Sequence, residues 1–421
     1  MLLLKKILHN LFSTCKYFKQ FDNKKNINYI ITNICKLLKD KGDSNYQANT
    51  NKLKEILDKN YYSNLDFLEI KKLILSGSDV NIKGKYGDTA LILACKFRHI
   101  KTVQLLITVD ADVNIENNYG LTALMISSSC VYYAYKDILK LLIAAGANIN
   151  AINDSGSTLL MLAAANGYPD MVKLLIISKA DINIQDKYGD TALIKALYSN
   201  CLNSDYVYIA KLFIEAGANL DTQDKDGYTA LIWALIKGHK EVAKLLITAG
   251  ADVNIQDNNG NTALIKALDS DYVDIAKLLI AVSTNINAIN NNGSTALIKA
   301  AIKGHTDIAK SLIDAGADVD IQDKYGKTAL IWAIEERREK IAKLLIVAAS
   351  ADVNTQDKTG CTALIEAIRI YAGNLEIVKL LIDAGADANI QNINGYTVLS
   401  LATDYGHSYY MLGLLREAAT K

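Results

Sequence analysis

Proline is almost absent from this sequence. Only Pro169 occurs in 421 residues, whereas an average usage of about 5% would give roughly twenty prolines. Because proline breaks helix interiors and is frequent in turns, its scarcity predicts a chain rich in helix with few irregular connections. The hydrophobic fraction of 50% argues against wholesale disorder, which requires low hydrophobicity and high net charge.

An excess of charge of one sign is also lacking. The chain has 46 Lys and Arg against 45 Asp and Glu, and this balance argues against a generally basic nucleic-acid-binding protein. The charge is nevertheless unevenly placed. Residues 1–83 contain 15 lysines and eight acids, whereas the remainder contains 31 basic and 37 acidic residues. The first 83 residues therefore carry a net positive charge, and the remaining residues carry a small net negative charge.

Motifs for metal binding and catalysis are missing as well. The five histidines form no HxxxH or HExxH pair, and no Gly-rich phosphate loop, GxSxG, kinase or Walker pattern occurs. No CxxC pair is present, so we expect reduced, mostly buried thiols in a cytoplasmic protein. The sequence predicts no enzyme and no cofactor. The six scattered cysteines are Cys15, Cys35, Cys95, Cys130, Cys201 and Cys361.

The main positive feature is an internal repeat. The tripeptide Gly-x-Thr recurs ten times at intervals of 33 to 38 residues, and eight copies continue as Thr-Ala-Leu. A fixed period of this length is typical of stacked repeat architectures. The repeated threonines are Thr89, Thr122, Thr158, Thr191, Thr229, Thr262, Thr295, Thr328, Thr362 and Thr397.

Residues 224–256 illustrate the expected structure of one copy. Gly227 suits a turn that needs a positive φ, and Thr229 stands where the N-cap of a first helix belongs. Gly238 separates this helix from a second one, which Gly250 ends in a left-handed conformation. Such a unit cannot bury its apolar face alone, so we expect successive copies to stack.

The pattern resembles the ankyrin repeat in its period, its Gly-x-Thr turn, its two-helix body and its Gly-Ala-Asp-Val-Asn ending. This resemblance covers about residues 51–421. It implies an all-α ankyrin-repeat α-solenoid of ten to eleven repeats with short β-hairpin or loop fingers and an amino-terminal helical extension. The family's Thr-Pro-Leu-His becomes Thr-Ala-Leu-Ile here. We expect an unchanged fold with a weaker polar link between neighbouring hairpins.

The repeat register predicts four segments. Residues 1–50 form a basic amphipathic helix followed by a linker and a short helix, and residues 51–83 form a degenerate capping repeat. Nine repeats occupy residues 84–391, and a carboxy-terminal capping repeat occupies 392–421. Two longer copies carry Tyr-rich insertions around 129–135 and 198–206. These insertions have two interpretations, partner-facing loops or neutral loop growth.

Four repeats depart from the pattern at the glycine that ends the second helix. A non-glycine residue held at positive φ costs roughly 1 kcal/mol. These departures have two interpretations, namely more flexible junctions between repeats or tolerated sequence drift. If the end of the helix at Ser283 is strained, we expect Ser283→Gly to raise the melting temperature. The replacing residues are Asp110, Lys179, Ser283 and Ser350.

The resemblance implies that a partner contacts the hairpin tips and the inner face of the first helix. The tips carry four tyrosines: Tyr86, Tyr119, Tyr188 and Tyr325. The fourth residue after the repeated threonine, here called the fourth position, is usually Leu in the family. In the central repeats it is instead Lys195, Trp233, Lys266, Lys299, Trp332 and Glu366.

Aromatic residues flanked by cations are a plausible hot-spot pattern. We therefore expect a protein partner of acidic character bound to a monomeric chain, with no nucleic acid involved. The alternative for Trp233 and Trp332 is that both rings are partly buried packing residues.

The first 21 residues leave further alternatives open. Leu4, Ile7, Leu8 and Leu11 fall on one side of a basic helix, which suits docking on its own domain, an anionic membrane surface or an export signal. The leading prediction is a non-enzymatic protein-binding scaffold. The rivals are a membrane-peripheral adaptor held by residues 1–21 and a secreted effector acting on host proteins.

Overall fold

Helices make up nearly all of the regular structure. The computed structural model describes residues 44–59, 64–127, 135–198, 205–282, 285–370 and 375–420. Over these ranges the chain forms 22 α-helices, and the only extended pairing is an isolated bridge between Ile152 and Thr158. The all-α repeat fold expected from the sequence is confirmed.

The helices alternate between the first, inner helix of each pair and the second, outer helix. The inner helices are α1 (Ser44–Leu57), α3 (Ala90–Lys96), α5 (Ala123–Ile126), α7 (Leu159–Ala165), α9 (Ala192–Tyr198), α11 (Ala230–Ile236), α13 (Ala263–Asp269), α15 (Ala296–Lys303), α17 (Ala329–Glu335), α19 (Ala363–Ile370) and α21 (Val398–Asp404). The outer helices are α2 (Asn64–Leu75), α4 (Ile100–Thr108), α6 (Tyr135–Ala144), α8 (Pro169–Ile177), α10 (Asp205–Glu215), α12 (Lys240–Thr248), α14 (Val273–Val282), α16 (Thr306–Asp314), α18 (Glu339–Lys343), α20 (Leu375–Asp383) and α22 (Tyr409–Ala419).

The chain divides into two compact units, which adjoin in the sequence at Leu212 and Phe213. In the first unit, inner helix α3 packs on α5 and α7 packs on α9, while outer helix α4 packs on α2 and α6. In the second unit, α13, α15, α17, α19 and α21 pack in succession. Each unit is therefore a stack of helix pairs, as a repeat array requires.

Every inner helix that follows a Gly-x-Thr tripeptide begins at its threonine. The Thr229 hydroxyl oxygen accepts a hydrogen bond from the backbone N–H of Ile232 at 3.3 Å, and the other nine threonines make the same bond. Removing such a cap typically costs about 1 kcal/mol. The predicted N-caps are confirmed in all ten copies.

The inner helices form the centre of each layer. In α11, Leu231, Ile232 and Leu235 are buried, and Val242 and Leu246 of α12 are buried against them. Ile232 occupies the place of the family's histidine and is inaccessible to solvent. Its bulk therefore contributes to the core where a histidine would contribute a hydrogen bond.

The outer helices α2 to α12 and α16 to α20 end in the left-handed conformation predicted from the sequence. Gly250 has a φ of 87°, and its N–H bonds to the carbonyl of Ile247 at 3.1 Å. Three of the four predicted replacements also have positive φ: Asp110 (67°), Lys179 (68°) and Ser350 (52°). Ser283 lies outside the described residues.

One outer helix absorbs an extra residue. The repeat that begins at 323 has 34 residues, and its outer helix α18 continues as a π-helix over Leu344–Ala348. The N–H of Ala349 bonds to the carbonyl of Leu344 at 3.2 Å, and the N–H of Ala351 bonds to that of Leu345 at 3.1 Å. A local π-turn is the usual way for a helix to accommodate one inserted residue.

Some predicted features lie outside the described residues. They are the amphipathic helix in residues 1–21, the short helix expected near 30–38, and most of the two Tyr-rich insertions (128–134 and 199–204). Helix α1 begins at Ser44 and so runs through the predicted boundary at residue 50. Within the described ranges, no helix is both long and apolar enough to span a membrane.

Candidate functional site

Nine tips are turns held by the side chain of their first residue, an aspartate or an asparagine, whereas the tip beginning at Gly84 has no such side chain. The Asp323 Oδ1 accepts hydrogen bonds from the backbone N–H groups of Tyr325 at 2.8 Å and Lys327 at 3.0 Å. Consecutive tips are also linked, because the N–H of Lys358 donates to the carbonyl of Tyr325 at 2.9 Å. These bonds give the tip backbone a fixed geometry before any partner binds.

The four tip tyrosines project into solvent from this backbone. Their exposed fractions are 37% for Tyr86, 58% for Tyr119, 62% for Tyr188 and 51% for Tyr325. Lysine ammonium groups lie over three of these rings, with Lys85 5.5 Å from Tyr86, Lys195 5.4 Å from Tyr188 and Lys324 5.0 Å from Tyr325. Exposed tyrosines on a rigid backbone are typical of contact surfaces.

The two tryptophans at the fourth position bond to the tips of their own repeats. The Trp233 indole N–H donates to the Asp224 Oδ2 at 2.7 Å, and the Trp332 indole N–H donates to the Asp323 Oδ2 at 2.9 Å. Trp233 is only 8% exposed, whereas Trp332 is half-buried. Both side chains therefore have a structural partner within the chain.

Two lysines at the fourth position make the equivalent ionic contact. The Lys195 Nζ lies 2.8 Å from the Asp186 Oδ2 and 2.7 Å from the Asp190 Oδ2. The Lys266 Nζ lies 3.0 Å from the Asp257 Oδ2. Burial alone would lower the pKa of Lys195, but its hydrogen bonds to the two aspartates outweigh burial and raise that pKa.

Lys299 has a different partner because its repeat begins its turn with a neutral residue. Asn290 stands where the repeats of Lys195 and Lys266 have Asp186 and Asp257. The Lys299 Nζ instead pairs with the Asp269 Oδ1 at 3.0 Å. All three lysines predicted for the partner surface are thus ion-paired within the chain. The sequence reasoning missed these acidic partners, although a fixed spacing of nine residues joins Asp257 to Lys266.

Glu366 is the exception at the fourth position. Its side chain is buried in α19, and its Oε2 lies 3.1 Å from the Arg369 Nη2 without accepting a hydrogen bond. Burial raises the pKa of the Glu366 carboxyl, while Arg369 acts in the opposite direction. An acid thus occupies the position where the preceding repeat has Trp332, a hydrogen-bond donor.

The first unit contains a cavity of about 540 Å³ beside the tips. Tyr86 and Tyr119 line it together with the buried Asp88. Here the fourth position is apolar, so no side chain from that position reaches over to the turn. The other lining residues are Lys96, Asn117, Leu121, Met125, Ile126, Leu162 and Asn166.

Comparison with known families identifies the repeat. The family model for ankyrin repeats in sets of three matches residues 61–153, 127–205, 201–290, 281–357 and 346–421. The chain belongs to the ankyrin-repeat family. A search of the curated proteins found no match.

Ankyrin repeats are in general protein–protein interaction modules. Tyr86 and Tyr119 occupy the tips of consecutive repeats, while the fourth-position residues lie on the inner helices. Tyr86, Tyr119 and Tyr188 belong to the first unit. Lys195 also belongs to the first unit. The second unit contains the other predicted residues, which are Trp233, Lys266, Lys299, Tyr325, Trp332 and Glu366.

Reactive groups are sparse in the part of the ankyrin array that the structure describes. No three His, Cys, Asp or Glu side chains there are grouped to hold a metal ion. Cys95 and Cys361 are buried thiols without a disulfide, and burial raises the pKa of Cys95 to about 12. A thiol with such a pKa is a poor nucleophile at neutral pH.

Proposed function

We propose that this ankyrin-repeat protein is a non-enzymatic, cytoplasmic scaffold that binds a partner protein through its hairpin tips and concave inner-helix face. The observation that carries the proposal is the row of exposed tip tyrosines on a hydrogen-bonded tip backbone. Tyr119 and Tyr188 expose more than half of their surface, which contributes little to folding because water still covers the rings.

Rigid presentation is what makes these rings suitable for binding. A tyrosine has few rotatable bonds, so fixing it in an interface costs less entropy than fixing a long aliphatic side chain. The tip backbone is already ordered, as the bond from the Asn118 N–H to the Tyr86 carbonyl at 3.1 Å illustrates. A partner would therefore bind tips whose backbone is already ordered.

The inner-helix residues have a second role within this proposal. Trp332 and the fourth-position lysines are tied to carboxylates of their own tips or of the neighbouring helix, so they position the tips as well as lining the concave face. Because Lys195, Lys266 and Lys299 are each ion-paired, they add little net positive charge. The proposal consequently assigns no sign to the partner's charge.

Substituting the tip tyrosines tests the proposal. A display library of protein fragments would be selected on the wild-type chain, and the selected fragments would be measured against Tyr119→Ala/Tyr188→Ala. We expect at least about a tenfold loss of affinity, since truncating an interface hot-spot residue costs about 2 kcal/mol or more. The melting temperature should stay unchanged because both rings are exposed.

A matched control uses exposed tyrosines that lie outside the tips. Tyr405 and Tyr409 are 55% and 86% exposed, and the double variant Tyr405→Ala/Tyr409→Ala should bind the selected fragments as the wild type does. Equal binding by the tip variant and the wild type would refute the proposed role of the tips.

A further inference from the structure

The outer helices of the second unit form an apolar groove away from the tips and the inner helices. It lies on α16, on α18 with its π-helical continuation, and on α20. Its volume of about 430 Å³ is sufficient for one or two side chains of another molecule. The apolar lining, here called the groove floor, consists of Leu344, Val347, Ala348 and Leu380.

Val347 is the most exposed residue of the groove floor. It belongs to the π-helix that accommodates the extra residue of this repeat, and 66% of its surface is accessible. Counted from the lysine four residues earlier, the corresponding residues of the two flanking outer helices are Asp314 and Asp383. The fold therefore accepts a charge at this place, whereas this repeat has an apolar side chain. An apolar patch with a charged rim is typical of an interaction site.

The charge of the same outer helix is reversed at one position. Lys340 precedes the buried Ile341, and in six other repeats the corresponding residue is acidic. An acid at this place lies three residues before a lysine, a spacing at which opposite charges attract each other. Lys340 instead adds a second positive charge three residues before Lys343. The six acids are Asp137, Asp170, Glu241, Asp274, Asp307 and Glu376.

Two of the three lysines that line the groove have no counter-ion within the chain. The Lys343 Nζ lies 2.6 Å from the Glu376 Oε1. Lys310 and Lys340 are exposed, and neither forms an ion pair with any residue of the described ranges. Because the lining residues include these three lysines and one acid, Asp307, the groove carries a net positive charge beside its apolar floor.

We propose that this groove binds an acidic segment of a partner protein. An apolar side chain of the segment packs on Val347 and Leu380, and its burial supplies hydrophobic free energy. Carboxylates on either side of that side chain pair with Lys310 and Lys340, whose charges are otherwise uncompensated. The site lies on the outer helices, so the inference goes beyond the binding role proposed for the tips and the inner helices.

The confined charge favours a protein segment over a lipid surface as the occupant. An anionic membrane is recognised by larger clusters of Lys and Arg, about four to eight residues. The neighbouring outer helix α14 does not extend such a cluster, because Asp274 lies three residues before Lys277. A groove with two uncompensated lysines suits one or two carboxylates next to an apolar side chain.

The test compares three peptides that differ either in charge or in apolar side chains. The first probe is acetyl-Glu-Asp-Leu-Leu-Asp-Glu-amide. A neutral twin has Gln and Asn in place of the acids, and a polar twin has Ser in place of Leu. Binding to the full chain is followed by the methyl NMR signals of Leu344, Val347 and Leu380. We expect the first peptide to bind at least about tenfold more tightly than either twin, the usual scale for one charge-assisted hydrogen bond or one buried leucine.

Two substitutions remove the site by copying residues from other repeats. Lys340→Glu introduces the acid that six repeats have, and Val347→Asp copies Asp314 and Asp383. Each should weaken binding of the first peptide about tenfold, and both positions are exposed, so the melting temperature should stay unchanged. The matched control is Lys244→Glu on α12, an exposed lysine that does not line the groove, and this variant should bind as the wild type does.

Three results would overturn the proposal. They are equal binding of the first peptide and either twin, no binding of the first peptide at millimolar concentration, and full binding of that peptide to Lys340→Glu. Vesicles of phosphatidylcholine and phosphatidylserine test the lipid alternative. Vesicle binding that is lost in Lys340→Glu, without any peptide binding to the wild type, would replace the protein segment by a membrane surface.

The tip variant separates this inference from the proposed function. Tyr119→Ala/Tyr188→Ala should bind the first peptide as the wild type does, because neither tyrosine lines the groove. Loss of the peptide in that variant would place the peptide at the tips and overturn the groove. Fragments selected by display that bind Lys340→Glu fully and the tip variant weakly would leave the scaffold role intact, whatever the peptides do.

Discussion

Trp332 and Glu366 occupy the same position in consecutive repeats, yet only Trp332 donates a hydrogen bond to the aspartate nine residues before it. The Trp332 indole N–H lies 2.9 Å from the Asp323 Oδ2. The corresponding pair one repeat later is Asp357 and Glu366, two acids, and the Glu366 Oε2 accepts no hydrogen bond. The later repeat therefore contains a buried acid where its neighbour contains a satisfied donor.

Glu366→Gln is expected to stabilise the protein at pH 7. The glutamine amide supplies the missing donor and removes a buried charge, and one such hydrogen bond is worth about 1 kcal/mol. Arg369 loses its ionic neighbour, but its side chain is 45% exposed, so little stability depends on that contact. Thermal unfolding at pH 7 would measure the change.

The same substitution should alter the pH dependence of stability. The folded-state pKa of Glu366 is raised, by burial first and by the carboxylates of Glu335 and Asp357, against Arg369 and Lys327. The folded protein then holds the proton more tightly than the unfolded chain, so stability is lost as the pH rises through the folded-state pKa. The advantage of Glu366→Gln should shrink as the pH falls below the unfolded value of 4.5.

A control variant makes this result specific. Glu116 is exposed in a loop of the first unit. Glu116→Gln should therefore leave the melting temperature unchanged, both at pH 7 and below pH 4.5. A Glu366→Gln protein that melts at or below the wild-type temperature at pH 7 would contradict the assignment of Glu366 as an unsatisfied acid.

Trp233→Phe is expected to destabilise the second unit. Phenylalanine fills most of the space but has no N–H, so the Asp224 Oδ2 loses the bond of 2.7 Å, at a cost of about 1–3 kcal/mol. A double-mutant cycle with Asp224→Asn, measured by denaturant unfolding, isolates the bond. The two effects should be non-additive by about 1 kcal/mol, and simple additivity would show that the indole acts only through packing.

The local structure of each repeat was predictable because it depends on neighbouring residues. Thr229 caps a helix through a hydrogen bond three residues away, and Gly250 ends one through its own φ. Both rules operate within one turn of helix, so a residue pattern is sufficient to predict them.

The contacts of the fourth position were missed because they join the inner helix back to the tip. The sequence nevertheless contains the signal, since most turns begin with aspartate where the fourth position is a donor and with asparagine where it is apolar. The donor pairs are Asp186 and Lys195, Asp224 and Trp233, Asp257 and Lys266, and Asp323 and Trp332; the apolar pairs are Asn117 and Ile126, Asn153 and Leu162, and Asn392 and Leu401. The three remaining repeats break the pattern, with the pairs Gly84 and Leu93, Asn290 and Lys299, and Asp357 and Glu366.

Lys179→Gly is expected to raise stability by about 1 kcal/mol, because Lys179 has a φ of 68° and the left-handed conformation is costly for a residue with a Cβ. Gly146 offers the reverse test, since its φ is 86° and a Cβ there would meet no atom within 4 Å. Gly146→Ala should lower stability by a similar amount through the backbone alone. Melting temperatures that move the other way would show that these helix ends are not strained.

Cys95 is expected to resist alkylation in the native protein. Its side chain is inaccessible and its pKa is raised by burial to about 12, so almost no thiolate exists at pH 7.5. Cys361 is also buried, and burial together with the carboxylates of Glu366 and Asp357 raises its pKa.

Iodoacetamide labelling, resolved peptide by peptide with mass spectrometry, should modify both thiols only when urea opens the repeats that contain them. Because Cys95 belongs to the first unit and Cys361 to the second, different urea midpoints for the two would mean that the units unfold separately. Rapid labelling of Cys95 without urea would show that the repeat containing Cys95 opens in the native state.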